Sequence, residues 1–253
     1  VSSKQQVESA AIVLDCRDHG ESDLIVTFFC QNYGRLTGIA KGAKRSKKRF
    51  VNKLEIFSSL RILHTIPQNN RLAFIAEADL LDGFLTLRKN TICYTTASVI
   101  RELILLTTKE VEGDEKLYPL LVYSYDNLNN NQPPLQTLIL FLIRLYAIIG
   151  YSPQLANCLQ CGQEVQANKS YRFHTNAGGI CCSNCSAKGT STSVTLSQGT
   201  LKSLTVALNQ PLNRLHRLQL STASQREALS FLHAYGLQLF QREIVSWAFL
   251  EKI

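Results

Sequence analysis

No stretch of this sequence is both long enough and uncharged enough to cross a bilayer. The most apolar run, residues 135–149, is shorter than the roughly 20 residues a spanning helix needs and contains Arg144, so a buried core helix with no membrane role is expected there. The opening VSSKQQVESA lacks the apolar centre of a secretory signal, and a reducing cytoplasm is the expected compartment. A glycine-rich phosphate cradle is also missing: Lys41-Gly-Ala-Lys44 does not fit G-x-x-x-x-G-K-[ST], which argues against a nucleotide hydrolase of that type. No His-x-Glu precedes the paired cysteines, as the chemistry of zinc deaminases would require. Internal repeats are absent. Acid is scarce too. The 19 Asp and Glu stand against 27 Lys and Arg, giving a net charge of +8 and a pI near 9.1, a balance that favours a polyanionic partner.

What is present fits an ordinary globular protein. Hydrophobic residues make up 45% and charged residues 18% of 253, enough for a normal core and too apolar for bulk disorder. That length predicts two domains. Residues 10–15 (AAIVLD) and 23–30 (DLIVTFFC) read as strands separated by a polar turn over 17–22, and residues 36–40 as a third. Over 56–66 and 72–80 the hydrophobic period is two. Ile56, Leu60, Ile62 and Ile66 are expected on one buried face, and Leu72, Phe74, Ala76, Ala78 and Leu80 on another. Pro67-Gln-Asn-Asn70 is the expected hairpin turn between them. Phe28, Phe29 and Phe57 are expected in the core; Phe50 is not assigned a side.

Beyond Gly83 the pattern turns helical, over 90–107, 116–128 and 135–149. Ser197 is a candidate N-cap, and Ser224 with Glu227 has the spacing of a capping box. The fold class expected is therefore α+β: a five-stranded OB-like barrel over 1–82, then an all-α domain over 83–253 with a small cysteine module inserted at about 154–188.

That module holds the sharpest motif. Cys158-Leu-Gln-Cys161 and Cys182-Ser-Asn-Cys185 are two C-x2-C pairs at a separation suited to a four-thiolate zinc site. Each turn directs two sulfurs to one side of an ion, and two turns complete a tetrahedron with Zn–S distances of about 2.3 Å. Gly162 gives the first turn room. Cys181, next to Cys182, and His174 are alternative ligands. Four sulfurs close the shell, so one Zn2+ here would be structural. The segment between the pairs, with Tyr171, Phe173 and Gly178-Gly179, reads as a hairpin with little core of its own. Binding energies of about 10–16 kcal/mol in finger peptides then predict that it is largely unfolded without metal. Cys16, Cys30 and Cys93 lie in apolar runs and are expected in the core.

The second motif is electrostatic. Lys41, Lys44, Arg45, Lys47, Lys48 and Arg49 occupy nine residues with no acid among them, and are expected on a mobile loop of the barrel. Such runs are often merely solvated. Here they project from a barrel type that commonly holds single strands in a charged groove. Asp18, Glu21 and Asp23 could mimic a metal or acid/base site, but a turn and capping role is expected.

In combination these landmarks resemble the RecO family of bacterial recombination mediators. The resemblance is carried by Asp18-His-Gly-Glu-Ser-Asp23, Tyr33-Gly-Arg-Leu36, residues 40–48 (AKGAKRSKK), Leu54-Glu-Ile-Phe57, Gly150-Tyr-Ser-Pro153, Gly178-Gly-Ile180 and both cysteine pairs, in order from about 10 to 190. It implies an OB domain, a helical domain with a zinc module, and no catalysis. It further implies binding to single- and double-stranded DNA, annealing of complementary strands, and location with the cytoplasmic nucleoid. The partners implied are RecR and the acidic C-terminal tail of single-stranded-DNA-binding protein, with RecA loading as the joint task. It assigns no partner-binding residues. Some members lack the cysteines; all four are present here. The competing expectations are a zinc-containing protein adaptor without direct DNA binding, a metalloenzyme, and a sequence-specific RNA binder.

Overall fold

The computed structural model describes residues 5–66, 72–110, 113–166, 169–186, 193–250 and 252. The expected turn at 67–70 lies outside them. Two compact units are formed, Val1–Asn131 and Gln132–Ile253.

The first unit is built on five strands, β1 (Gln6–His19), β2 (Asp23–Cys30), β3 (Gly34–Ala40), β4 (Ser59–Thr65) and β5 (Ala73–Asp82). They close in the order β1-β2-β3-β5-β4. β1 runs longer than its apolar stretch because it has partners on both sides: its first half pairs with β4 and its second with β2. Ladder hydrogen bonds, rather than side-chain hydrophobicity, thus extend it through Arg17, Asp18 and His19, where a turn is expected from composition. Closure is made by the parallel pairing of Gly38 and Ile39 with Ala73 and Phe74. A Cβ at Gly38 would stand 2.5 Å from Ile75 Cδ1 and 3.1 Å from the Ala73 carbonyl, so this seam requires glycine.

Two of the barrel's three register shifts aim the side chains, the third lying at Leu81 near the end of β5. On β1 the register against β2 skips Leu14, and on β5 the register against β4 skips Ala76. An extra residue moves the following side chains to the other face. Ala73 and Ile75 therefore point inward before Ala76, and Ala78 points inward after it. This corrects the expected face of Leu72, Phe74, Ala76, Ala78 and Leu80: Leu72 and Leu80 are exposed. Ile66 is exposed as well. The skipped residues keep their carbonyls occupied, since Arg101 donates to Leu14 O (2.8 Å) and Arg49 to Ala76 O (3.2 Å). Phe28, Leu36, Leu60, Ile62 and Ile75 fill the barrel.

Three helices complete this unit, α1 (Leu85–Lys89), α2 (Thr91–Thr107) and α3 (Leu117–Asn129). Asn90 caps α2 by accepting from Ile92 N and Cys93 N. Phe57 and Phe84 meet Tyr125 edge-on at 5.4 and 5.8 Å. The boundary expected after residue 82 falls within this unit.

The second unit contains α4 (Pro134–Ile148), a three-stranded antiparallel sheet in the order β7-β6-β8 (Gly179–Cys182, Tyr171–His174, Ser193–Leu196), then α5 (Gln198–Asn209), α6 (Thr222–Phe240) and α7 (Trp247–Leu250). Ser197 caps α5, accepting from Thr200 N. The expected capping box at Ser224 and Glu227 is corrected. Ser221 caps α6 by accepting from Ser224 N, while Glu227 accepts from Ser197 N (2.8 Å) and Thr200 Oγ1 (2.7 Å) at the start of α5. The carboxylate serves a neighbouring helix instead of its own.

Candidate nucleic-acid interface and metal centre

All six cations of residues 41–49 are exposed, yet their loop is pinned to the barrel. Ala43, Phe50 and Leu54 insert into the barrel core, so Phe50 faces inward and offers no stacking surface. Asp23 Oδ1 accepts from Gly42 N (2.8 Å) and Ser22 Oγ (2.9 Å), and Ser22 O accepts from Lys44 N. Asp23 ionises more readily than an ordinary carboxyl, chiefly through the Gly42 N–H. The acidic turn between β1 and β2 is thus the cradle of the basic loop, a role that the spacing of Asp18, Glu21 and Asp23 did not disclose. The expected mobile loop is instead an anchored one, with a 3-10 turn at Ala43–Arg45.

Anchoring divides the cations. Lys44 Nζ lies 2.9 Å from Asp18, and Arg45 lies 3.4 Å from Glu21. Arg49 donates to the carbonyls of Lys41 and Ala76, with its guanidinium 5.0 Å from the Phe50 ring. Among the described residues Lys47 and Lys48 have no ion pair or hydrogen bond. The two carboxylate pairs are solvent-facing and worth about 0–1 kcal/mol each. Phosphates can displace them.

In the second unit, the ligand atoms of Cys158, Cys161, Cys182 and Cys185 all lie within 4.8 Å of one another. Cys161 and Cys182 sulfurs are 3.9 Å apart. That is far beyond a disulfide length of about 2.05 Å and close to the edge of about 3.8 Å of a tetrahedron with Zn–S bonds of 2.3 Å. Gly162, at φ 71°, turns the first knuckle, and its N–H donates to Cys158 O. Burial opposes ionisation of Cys158, but the N–H groups of Cys161, Cys182 and Gln160 outweigh it and bring the thiol down to about 6. Cys182 is lowered chiefly by the Cys185 N–H. Cys185 is pushed up to about 12 because it donates to the Cys182 and Cys161 sulfurs. Backbone donors thus prepare thiolates whose mutual repulsion a cation would relieve, and the group could hold a metal ion. Cys181 stands outside the group, on β7 opposite Arg172, and His174 Nε2 faces Ser186 Oγ at 3.2 Å. Cys30 and Cys93 are buried as expected, and Cys16 is partly so.

The module has a core after all, contrary to the sequence expectation. Tyr171, Phe173 and Ile180 are fully buried. Phe173 meets Phe231 of α6 at 4.3 Å and Tyr235 at 5.1 Å. The partners lie some sixty residues downstream, out of reach of a local motif.

The comparisons with known proteins agree on one family. The model for the N-terminal part of recombination protein O matches residues 4–84, and that for its C-terminal part matches residues 88–248. The DNA repair protein RecO of Syntrophobacter fumaroxidans is 32% identical over 230 residues, covering 91% of this chain and 86% of that protein. The RecO proteins of Syntrophus aciditrophicus (29% over 247 residues, 97% and 95% covered) and a Thermoanaerobacter species (30% over 248 residues, 98% of each) are similar along their full lengths. The chain therefore belongs to the RecO family, whose members act in DNA repair and recombination.

Proposed function

We propose that this chain is a non-catalytic recombination mediator whose barrel, an OB-fold, binds single- and double-stranded DNA through Lys41, Lys44, Arg45, Lys47, Lys48 and Arg49. The contacts are to phosphates, so no base is read. Neutralising two strands at once lowers the repulsion that slows their pairing, which anneals complementary strands without fuel. RecR, the acidic tail of single-stranded-DNA-binding protein and, through them, RecA are the proposed partners. The observation that carries this reading is the display of six exposed cations on one anchored loop of a small barrel. Support comes also from the family, a recombination family along its whole length.

Cys158, Cys161, Cys182 and Cys185 fit one Zn2+ as a closed four-sulfur site. The ion would neutralise the thiolates and leave no open position for substrate. The chain's own part is to hold those sulfurs on knuckle N–H groups, with the β6–β7 sheet seated on α6.

The test is a titration of fluorescent single-stranded DNA across salt with the full chain. Neutralising four to six phosphates predicts a log–log slope of roughly −3 to −4. K41A/K47A/K48A/R49A is expected to lose more than half of that slope; a variant with unchanged affinity and slope would overturn the reading.

A further inference from the structure

Charge is distributed unevenly between the two units. Val1–Asn131 holds seventeen Lys and Arg against fifteen Asp and Glu, whereas Gln132–Ile253 holds ten against four. Most of the excess positive charge therefore lies away from the basic loop. Between Glu164 and Glu227 the sequence has no acidic residue at all, and Glu227 itself is occupied at the start of α5.

The secondary structure gathers part of this charge into a ridge. On α5, Lys202 and Val206 lie four residues apart and are exposed, so they share one face, and the exposed Gln210 follows as the C-cap. The 3-10 helix that follows, Leu212–Arg217, aligns side chains three apart. Leu215 is buried while Arg214 and Arg217 are exposed on one outer edge. Arg214 and Arg217 line the same shallow groove as Val206 and Gln210. Lys202 lines the adjoining groove with Val206 and with Glu164, whose carboxylate makes no ion pair with it.

These cations resemble Lys47 and Lys48 of the basic loop, which also lack an ion pair, and differ from five others of the first unit. Lys44, Arg45, Lys53, Arg88 and Arg101 each face a carboxylate. Lys202, Arg214 and Arg217 have no ion pair among the described residues. An unneutralised row of positive charge, with a neutral amide and an apolar side chain between its ends, matches an extended chain of phosphates better than it matches a compact anion.

We propose that the ridge of Lys202, Gln210, Arg214 and Arg217 is a second nucleic-acid-binding face that grips a phosphodiester backbone. It deepens the reading of the chain as a strand-annealing protein and rests on it: one strand is held by the barrel loop and another by this face. Each unit thereby carries a cationic surface of its own.

The experiment compares the full-length protein with K202A/R214A/R217A and with the barrel-loop variant. Removing three phosphate contacts is expected to flatten the log–log salt slope by about 2 on single strands and to slow annealing of complementary strands at least tenfold. The helical circular dichroism should stay unchanged, and the charge-preserving R214K/R217K variant should retain both activities. If K202A/R214A/R217A binds and anneals as the parent does, the ridge is no nucleic-acid face, whatever the loop variant does. If the loop variant alone is without effect, the barrel reading fails and the ridge stands. Should the ridge variant lose binding to anionic phosphatidylserine vesicles or to a polyglutamate peptide while keeping its DNA slope, the proposal is overturned in favour of that ligand.

Discussion

In the first unit, part of the positive charge is set against the chain's own carboxylates, Lys44 on Asp18, Arg45 on Glu21 and Lys53 on Asp79, while Lys47 and Lys48 have no such partner. In the second, Lys202, Arg214 and Arg217 project without such partners, and Cys158 and Cys182 are the thiols that backbone N–H groups make more acidic. The barrel loop looks more basic in sequence, yet half of it is already engaged. A run of cations is thus a poor measure of the field a surface presents; what counts is which cations remain unpaired once the chain has folded. The comparison extends to anchoring. Phe50 ties the basic loop into the barrel, and Phe173 ties the cysteine module onto α6, so neither motif depends wholly on its partner for its shape.

The largest effect that would break this comparison is in the module. Phe173→Ala empties a fully buried site between β6 and α6 and should cost about 3–5 kcal/mol in urea unfolding of the second unit. Cys161→Ser, by contrast, should abolish metal binding while the amides of Tyr171 and Phe173 keep their slow hydrogen exchange. If the two variants lose exchange protection equally, the module has no independent core. A smaller effect concerns acid. His64 is buried in the barrel, with Nε2 2.9 Å from Ser9 Oγ and Nδ1 3.1 Å from Thr65 O. Burial lowers its pKa below the ordinary 6.5, against the Thr65 hydrogen bond. A base depressed by folding contributes stability that is complete above 6.5 and is lost as pH falls through the folded value. Thermal melts from pH 7.5 downward should therefore show the first unit weakening first, and His64→Gln should flatten that decline. The smallest effect is at the loop: D18N/E21Q, by releasing Lys44 and Arg45, should tighten DNA binding about two- to fivefold, in line with exposed pairs worth less than 1 kcal/mol each.

Much of this was legible in the sequence, for reasons tied to particular residues. β2 is legible because turn residues flank it and it is apolar apart from Asp23 and Thr27, and the cysteine pairs are visible because knuckle spacing is local. The inward face of β5 was not, because the bulge at Ala76 is imposed by pairing with β4 and leaves no mark in period-two counting. The cap of α6 was misplaced by three residues because Ser221 and Ser224 are equally good caps in isolation, and Glu227 proved to belong to α5. The role of Asp23 was hidden for a similar reason: its acceptor geometry toward Gly42 exists only after β2 and β3 have paired. The α1 helix, five residues long, is too short to show a period.

The most direct measurement is the salt dependence of DNA affinity for one protein lacking both cationic surfaces, K41A/K47A/K48A/R49A combined with K202A/R214A/R217A. Fixed positive charge on these two faces predicts that the log–log slope loses well over half of its magnitude, with each set of substitutions removing its own share and Lys44 and Arg45 holding the remainder. A combined variant that keeps the parental slope would show that DNA is held elsewhere on the molecule.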